Sequence, residues 1–242
     1  MDLTSTSFIV RDPIVGTGGG YGSSASFQLI SAGNTTLSGV ASSASFSTHY
    51  GFLYYPNPNP PSITFDIDTY NTSTTTTTTV APYSVSLGTL SPAAVTGTTE
   101  GGGGTPNGIW FSLDANGAGG AIVTVVSSGG ALKSTSVPGD TIPSATAAMS
   151  AGTANYGICA NRNATTTGVL NKVSPFASTC GTTPSSNSVG AVTTSAQTIY
   201  NTGGAAVTGG RGEIMVDAAI SNTTPAHTDY GDTLTFIATS TF

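Results

Sequence analysis

The chain has 242 residues and a formal charge of −6, and only 7% of its residues are Asp, Glu, Lys or Arg, against roughly 25% in average soluble domains. Five basic residues, spread from Arg11 to Arg211, are too few and too scattered for a phosphate-neutralising patch. These numbers exclude nucleic acid and anionic membrane surfaces as partners. Ser, Thr, Gly and Ala take the place of the charges, and a monomer that stays soluble alone usually carries more charge.

No apolar run approaches the ~20 residues of a membrane-spanning helix, so membrane insertion is not expected. The first four residues have neither the basic nor the apolar region of a signal peptide. For an exported protein we therefore expect the leader to have been removed.

Residues 1–55 predict an N-terminal arm of three β-segments that ends at a Pro-rich hinge, residues 56–61. The pentapeptide Ser-Ser-Ala-Ser-Phe occurs twice, ending at Phe27 and at Phe46. In residues 40–54 the apolar side chains share one parity and Ser and His the other, which predicts a strand with one apolar face. Three strands are too little chain to close a core alone. The arm therefore packs on its own domain or in that of a neighbour.

Residues 62–242 predict a single β-domain. Apolar alternation marks strands at residues 63–67, 83–87, 109–113, 122–126, 132–137, 169–176, 189–200, 214–220 and 234–242. The Thr run 74–79 is typical of either a linker or an edge strand. No helical periodicity competes, so the fold class is all-β, and regularly spaced turn signals indicate a sandwich of the immunoglobulin-like or jelly-roll-like kind.

Local patterns in this domain predict further details. Residues 114–117, Asp-Ala-Asn-Gly, are typical of a hairpin turn. Residues 122–126 predict a central strand buried on both faces, with 132–137 paired beside it. Residues 144–150 predict one short helical turn, which Gly152 stops.

Cys159 and Cys180 predict a disulfide that closes a surface loop rich in Thr, Asn and Ser. The alternative is two free thiols in a cytosolic protein, which fits the remaining composition poorly. Four Asn-x-Ser/Thr sequons are compatible with export and are candidate glycosylation sites, at Asn34, Asn71, Asn163 and Asn222.

The sequence offers no convincing catalytic constellation, so we expect no enzyme and no cofactor. His227 and Asp229 could be combined with a serine into a catalytic triad. The chain has so many serines, however, that such a combination is almost certain to arise by chance. Asp66, Asp68 and Asp217 are a candidate carboxylate set for glycoside hydrolysis. Outward polar positions on a half-solvated sheet explain these carboxylates more simply.

Other motifs are incomplete. Residues 114–117 resemble the opening of a calcium loop, but no later carboxylate completes it. Residues 101–104 are four glycines without the Gly-Lys-Ser/Thr of a phosphate loop. Lys133 or Lys172 with an Asn is a candidate for an intramolecular isopeptide bond.

Three stretches together resemble a group of secreted bacterial surface β-sandwiches. They are residues 83–92 (YSVSLGTLSP), 120–125 (GAIVTV) and 230–236 (YGDTLTF). The chain resembles spore-coat-U-like and archaic chaperone-usher pilins and TasA-type matrix filament proteins. The resemblance implies a sandwich one strand short, polymerised by donor-strand complementation. Pilin arms are usually a single strand, and this chain departs from them in having three segments.

The leading hypothesis from the sequence is a structural subunit of an extracellular filament or pilus at the cell surface. Its N-terminal arm is expected to complete the sheet of the next copy by β-augmentation, so its partner is itself, head to tail. The predicted inserted plugs are Phe8, Val10, Ile14, Phe27 and Leu29. The predicted base of the arm is Phe46, Tyr50 and Phe52.

A monomeric surface adhesin or carbohydrate-binding module, with the arm folded back, is the main alternative. Its aromatic platforms for carbohydrate or host-surface contact would be Trp110 and the cluster Tyr50, Phe52, Tyr54 and Tyr55. A phage or virus surface protein with jelly-roll sheets is a third possibility.

Overall fold

The computed structural model describes residues 61–69, 83–99, 108–181 and 183–241 in full, and the backbone of six short strands within residues 2–50. The chain divides into two compact units, Met1–Pro60 and Pro61–Phe242. The all-β prediction is confirmed, because the described residues form twenty strands and a single turn of 3-10 helix at Pro184–Ser186.

The first unit is a six-stranded antiparallel sheet of short strands. Its strands are β1 (Asp2–Thr4), β2 (Ile9–Arg11), β3 (Gly20–Ser23), β4 (Gln28–Ser31), β5 (Gly39–Ser43) and β6 (Phe46–Tyr50). The order across the sheet is β2-β1-β4-β3-β6-β5, so β2 and β5 are its edges. Consecutive strands pair as three hairpins.

Residues 40–54, predicted as one strand, contain a hairpin in which Ser43 pairs with Phe46. The prediction of a single strand is wrong there. A strand of that length exceeds the usual three to ten residues, and folding it back lets its backbone groups pair within the chain.

The second unit is built on two main sheets. The front sheet contains β7 (Ile63–Asp68), β8 (Thr96–Gly97), β9 (Ile109–Ala115), β14 (Asn155–Ala164) and β18 (Val207–Ala219). The back sheet contains β10 (Ala121–Ser127), β15 (Asn171–Lys172), β17 (Gln197–Asn201) and β20 (Leu234–Ser240). Their orders are β14-β18-β9-β7, with β8 also paired to β18, and β15-β17-β10-β20.

Two small sheets complete the second unit at its periphery. One has the order β12-β11-β19, from Thr141–Pro143, Ala131–Ser134 and Tyr230–Gly231. The other pairs β13 (Ala147–Ala148) with β16 (Ser188–Val189).

The hydrophobic core lies between the front and back sheets. Strand alternation places Phe111 and Leu113 of β9 inward, where both are buried. The ring of Phe111 meets the ring of Tyr200 edge to face at 4.9 Å between centroids, a favourable aromatic geometry. The Tyr200 hydroxyl donates to the main-chain carbonyl of Arg162 at 2.7 Å. Tyr200 therefore joins the back sheet to the front sheet by both packing and a hydrogen bond.

Several local predictions in the second unit are wrong for the same reason. Residues 114–117 connect β9 to β10, but these strands belong to different sheets, so the connection is a crossing and not a hairpin. Strand β11 likewise pairs with β12 and β19 and not with β10. The alternation of residues along a strand indicates which side chains are buried but not which strand lies beside it. It therefore could not assign these neighbours.

The remaining differences concern burial and length. Ile122 on β10 is 39% exposed, so this central strand is buried on one face only. Residues 144–150 contain the two-residue strand β13 and no helical turn. The ten-residue strand β14 is not among the strands predicted from the sequence, although its core residues Tyr156, Ile158 and Ala160 alternate with small or polar ones.

The predicted disulfide is confirmed and attaches a loop to the sheet. Cys159 is buried on β14 and bonds to Cys180, with 5.8 Å between the Cα atoms. In the same loop, the Phe176 carbonyl accepts from the amide of Ala160 at 2.8 Å. The Gly190 amide donates to the Ile158 carbonyl at 2.8 Å. The outer edge of β14 is therefore covered by residues 176–190.

Removal of the disulfide should destabilise the second unit. We expect the double variant Cys159→Ala, Cys180→Ala to lose about 3 kcal/mol of unfolding free energy, because the unfolded chain gains conformational freedom. Denaturant unfolding of the oxidised proteins measures the difference. Dithiothreitol should lower the wild-type midpoint and leave that of the variant unchanged; equal midpoints in oxidised wild type and variant would contradict the expectation.

Candidate functional site

Strand β20 has one paired edge and one open edge. Its whole length pairs with β10, from Ala121 opposite Ser240 to Ser127 opposite Leu234, and no other described strand pairs with it. The Thr241 amide donates to the Gly120 carbonyl at 2.8 Å, and the Thr233 carbonyl accepts from Ser128 at 2.9 Å. Odd-numbered residues therefore face β10. Because backbone groups alternate in direction along a strand, those of residues 234, 236, 238 and 240 face the open edge.

The core is only half covered beside this open edge. Leu234, Phe236 and Ala238 point inward and pack on the main core, yet each remains partly exposed. Strand β7, the edge strand of the front sheet, approaches β20 on this side. Its inward residues Phe65 and Ile67 are likewise half-buried. Among the described residues, no strand pairs with the facing edges of β7 and β20.

The two strands at this side differ in charge. Strand β20, Leu-Thr-Phe-Ile-Ala-Thr-Ser, contains neither a charged residue nor a proline. Edge strands usually carry such residues, which prevent pairing with another chain. Strand β7 carries Asp66 and Asp68. Of the two edges, only β20 lacks this protection.

The outer face of the front sheet holds a layer of charged and aromatic side chains. The guanidinium groups of Arg162 and Arg211 each lie 5.8 Å from the Trp110 ring, within the range of cation–π attraction. Glu213 is buried, accepts from Asn161 Nδ2 at 2.6 Å and lies 3.5 Å from Arg162 Nε. Trp110 itself is only 2% exposed. Its ring is therefore not a surface on which a sugar could stack.

Asp217 is a second buried carboxylate on this face, at the junction of β18 and β8. Its Oδ2 accepts from Asn187 Nδ2 at 2.8 Å, and its Oδ1 has no hydrogen-bond partner. Burial raises the pKa of Asp217 from its ordinary value near 4 to about 7, although the Asn187 hydrogen bond acts in the opposite direction. Gly97 opposite it has no room for a side chain, because a methyl group there would overlap the carboxylate.

The candidate triad does not form a hydrogen-bonded relay, because no described serine hydroxyl is bonded to His227. His227 Nε2 lies 2.6 Å from Asp140 Oδ2. Asp229, the expected triad partner, instead accepts hydrogen bonds from Thr135, Ser134 and the Ser136 amide, which hold the pKa of its carboxyl below the usual range.

The predicted carboxylate set is also dispersed. Asp66 and Asp68 are on β7, whereas Asp217 lies on β18, two strands away. Asp114 accepts from the Gly209 amide at 2.6 Å. Within the fully described ranges, no group of three or more His, Cys, Asp or Glu is placed to hold a metal ion.

Lys172, a candidate for an isopeptide bond with an Asn, donates from Nζ to the main-chain carbonyl of Asn161 at 3.3 Å. The Asn161 side-chain amide faces Glu213 instead.

Among the sequons, the Asn163 side chain donates to the Leu170 carbonyl at 2.9 Å, and Asn222 is exposed.

Much of the predicted arm lies beyond what the structure describes. Phe8, Ile14, Phe27, Phe52, Tyr54, Tyr55, Asn34 and Asn71 lie outside the described residues, as do the runs 74–79 and 101–104. Of Val10, Leu29, Phe46 and Tyr50 only the backbone is described, in β2, β4 and β6.

Fold and site together define a disulfide-linked β-sandwich in which β20 is an uncharged edge strand without a second partner among the described strands. Comparison of the chain with family models, with curated proteins and with solved structures finds no match. The described residues form no helix long and apolar enough to cross a membrane.

The buried carboxylate makes a specific pH dependence testable. The unfolded state releases the Asp217 proton near pH 4, and the folded state retains it to about pH 7. This group's contribution to stability is therefore greatest below pH 4, declines between pH 4 and 7, and is constant above. Asp217→Asn should remove that decline, which denaturant unfolding across this pH range measures. Asp66→Asn, at an exposed position, is the control and should preserve it.

Proposed function

We propose that this protein is a structural subunit of an extracellular filament, in which the N-terminal arm of one copy completes the sandwich of the next. The observation that carries the proposal is the open edge of β20, which is unpaired, uncharged and free of proline, beside a half-exposed apolar core. An added strand would satisfy the free backbone groups and cover these apolar side chains.

The first unit supplies an edge of the same character. Strand β5, Gly-Val-Ala-Ser-Ser, is at one edge of its sheet and has no charged residue. The other edge, β2, includes Arg11. Strand β5 can therefore pair with a further strand without breaking any hairpin of its own sheet. The plugs predicted from the sequence, Phe8, Val10, Ile14, Phe27 and Leu29, would require strands of the other two hairpins to be exchanged.

Two features support an extracellular location. Disulfides form and persist in oxidising compartments, and the Cys159–Cys180 bond links the only two cysteines of the chain. The very low content of charge is compatible with a subunit whose surface is largely covered by identical neighbours.

Deletion of the arm tests the proposal directly. Residues 61–242 form a compact unit with its own core, so we expect the protein without residues 1–55 to fold and to remain monomeric. The full-length chain should form filaments under the electron microscope and large particles in light scattering. Because the paired edges are uncharged, the filaments should persist when salt is raised. A full-length protein that remains monomeric would overturn the proposal and favour the adhesin alternative.

A shorter deletion identifies which part of the arm is donated. Without residues 1–31 the β5–β6 hairpin is retained, so filaments should still form if β5 is the donor. Their loss in this variant would favour the predicted plugs of the first two hairpins.

A proline on β20 tests the accepting edge. Ala238→Pro removes an N–H that faces the open edge and leaves the ladder with β10 intact. We expect the variant to lose filament formation while its thermal unfolding changes little. Ala238→Val adds comparable bulk but retains the N–H, and it should still assemble. Normal filaments from Ala238→Pro would exclude β20 as the accepting strand.

A further inference from the structure

The strand predicted from the sequence at residues 83–87, Tyr-Ser-Val-Ser-Leu, is not formed in the structure, although the segment keeps the side-chain alternation of one. The side chains of Val85 and Leu87 are half-buried and pack on the main core, whereas Ser84 and Ser86 are exposed. The segment runs without a turn or bend. Within the described part of the chain, however, its backbone takes part in no hydrogen bond and no strand ladder. The side chains thus alternate as in a strand, but the backbone makes no strand hydrogen bonds to other described residues.

Such a segment needs a partner for its backbone. Buried or half-buried amide and carbonyl groups are normally paired, and no described residue pairs with those of residues 83–87. Val, Tyr and Leu next to exposed serines fit a pleated, half-buried surface. The segment also lacks the charged residues and prolines that protect exposed edges. It therefore has the same character as the open edge of β20.

The composition of the chain indicates which partner would pair with it. A charged strand would lose hydration beside the half-exposed core, so an uncharged one is favoured. From Pro13 to Phe65 the chain contains no Asp, Glu, Lys or Arg. The arm strands β3 to β6 all fall within this uncharged stretch. An extended strand from the arm of a second copy is uncharged, as the segment is, and its backbone groups could pair with those of the segment.

We propose that residues 83–87 are a second accepting edge, which pairs with an extended strand from the arm of a neighbouring copy. This inference rests on the proposed function and adds to it, since two edges of one sandwich would each receive a strand. In the arm, β5 is an uncharged edge strand, and its hairpin partner β6 would become available for a second edge only if it separated from β3.

A proline substitution at Ser86 tests the inference in the full-length protein. Ser86 is exposed and its N–H makes no hydrogen bond, so Ser86→Pro removes nothing from the isolated subunit. We expect thermal unfolding of the dissociated subunit to be unchanged and the critical concentration for assembly to rise at least about tenfold, the effect of one lost hydrogen bond of ~1.4 kcal/mol. Ser86→Ala, which retains the N–H, should assemble like wild type.

Hydrogen exchange separates this inference from the proposed function. In filaments the amides of residues 83–87 should exchange at least about tenfold more slowly than in the dissociated subunit, and the open-edge amides of β20 should do the same. Protection of β20 with rapid exchange at residues 83–87 would overturn the second edge and leave the filament proposal standing. Absence of filaments would overturn the proposed function itself.

Discussion

The need to pair every strand backbone governs the second unit. Each interior strand has neighbours on both sides, and the outer edge of β14 is covered by a loop that the Cys159–Cys180 bond holds in place. Among the described residues, the facing edges of β7 and β20 lack such a cover. The half-exposed apolar side chains of β7 and β20 and the uncharged edge of β20 both lie at this position.

Two carboxylates of the second unit hold turns in place. Asp232 accepts from the hydroxyls of Ser127 and Ser128 and from the Gly129 amide, which fixes the turn after β10. Asp229 does the same for the turn after β11. These hydrogen bonds to ionised groups are among the stronger polar interactions in proteins. Asp229, which looks catalytic in the sequence, is therefore explained by loop structure.

The sequence predicts the fold class, the disulfide and the positions of most long strands, because alternation and cysteine spacing are local signals. It also predicts that the chain reaches an apolar strand near its end, which is β20. It fails for pairing: residues 114–117 and β11 are assigned wrong neighbours, since partners are determined by packing across the whole unit. Strand β14 is missed because its alternating core residues Tyr156, Ile158 and Ala160 span only half of its length, and its register shifts after Ala160. The missing hydrogen bonds of residues 83–87 have no counterpart in sequence at all.

The loop attached to β14 also has a consequence for connectivity. In polymer terms, a building block that donates one arm and accepts one arm has a functionality of two. Such blocks form unbranched chains. Strand β14 would be another receiving side if residues 176–190 left its outer edge. In the proposed filament, the disulfide that holds this loop would therefore limit the number of receiving sides, and its reduction would allow the chain of subunits to branch.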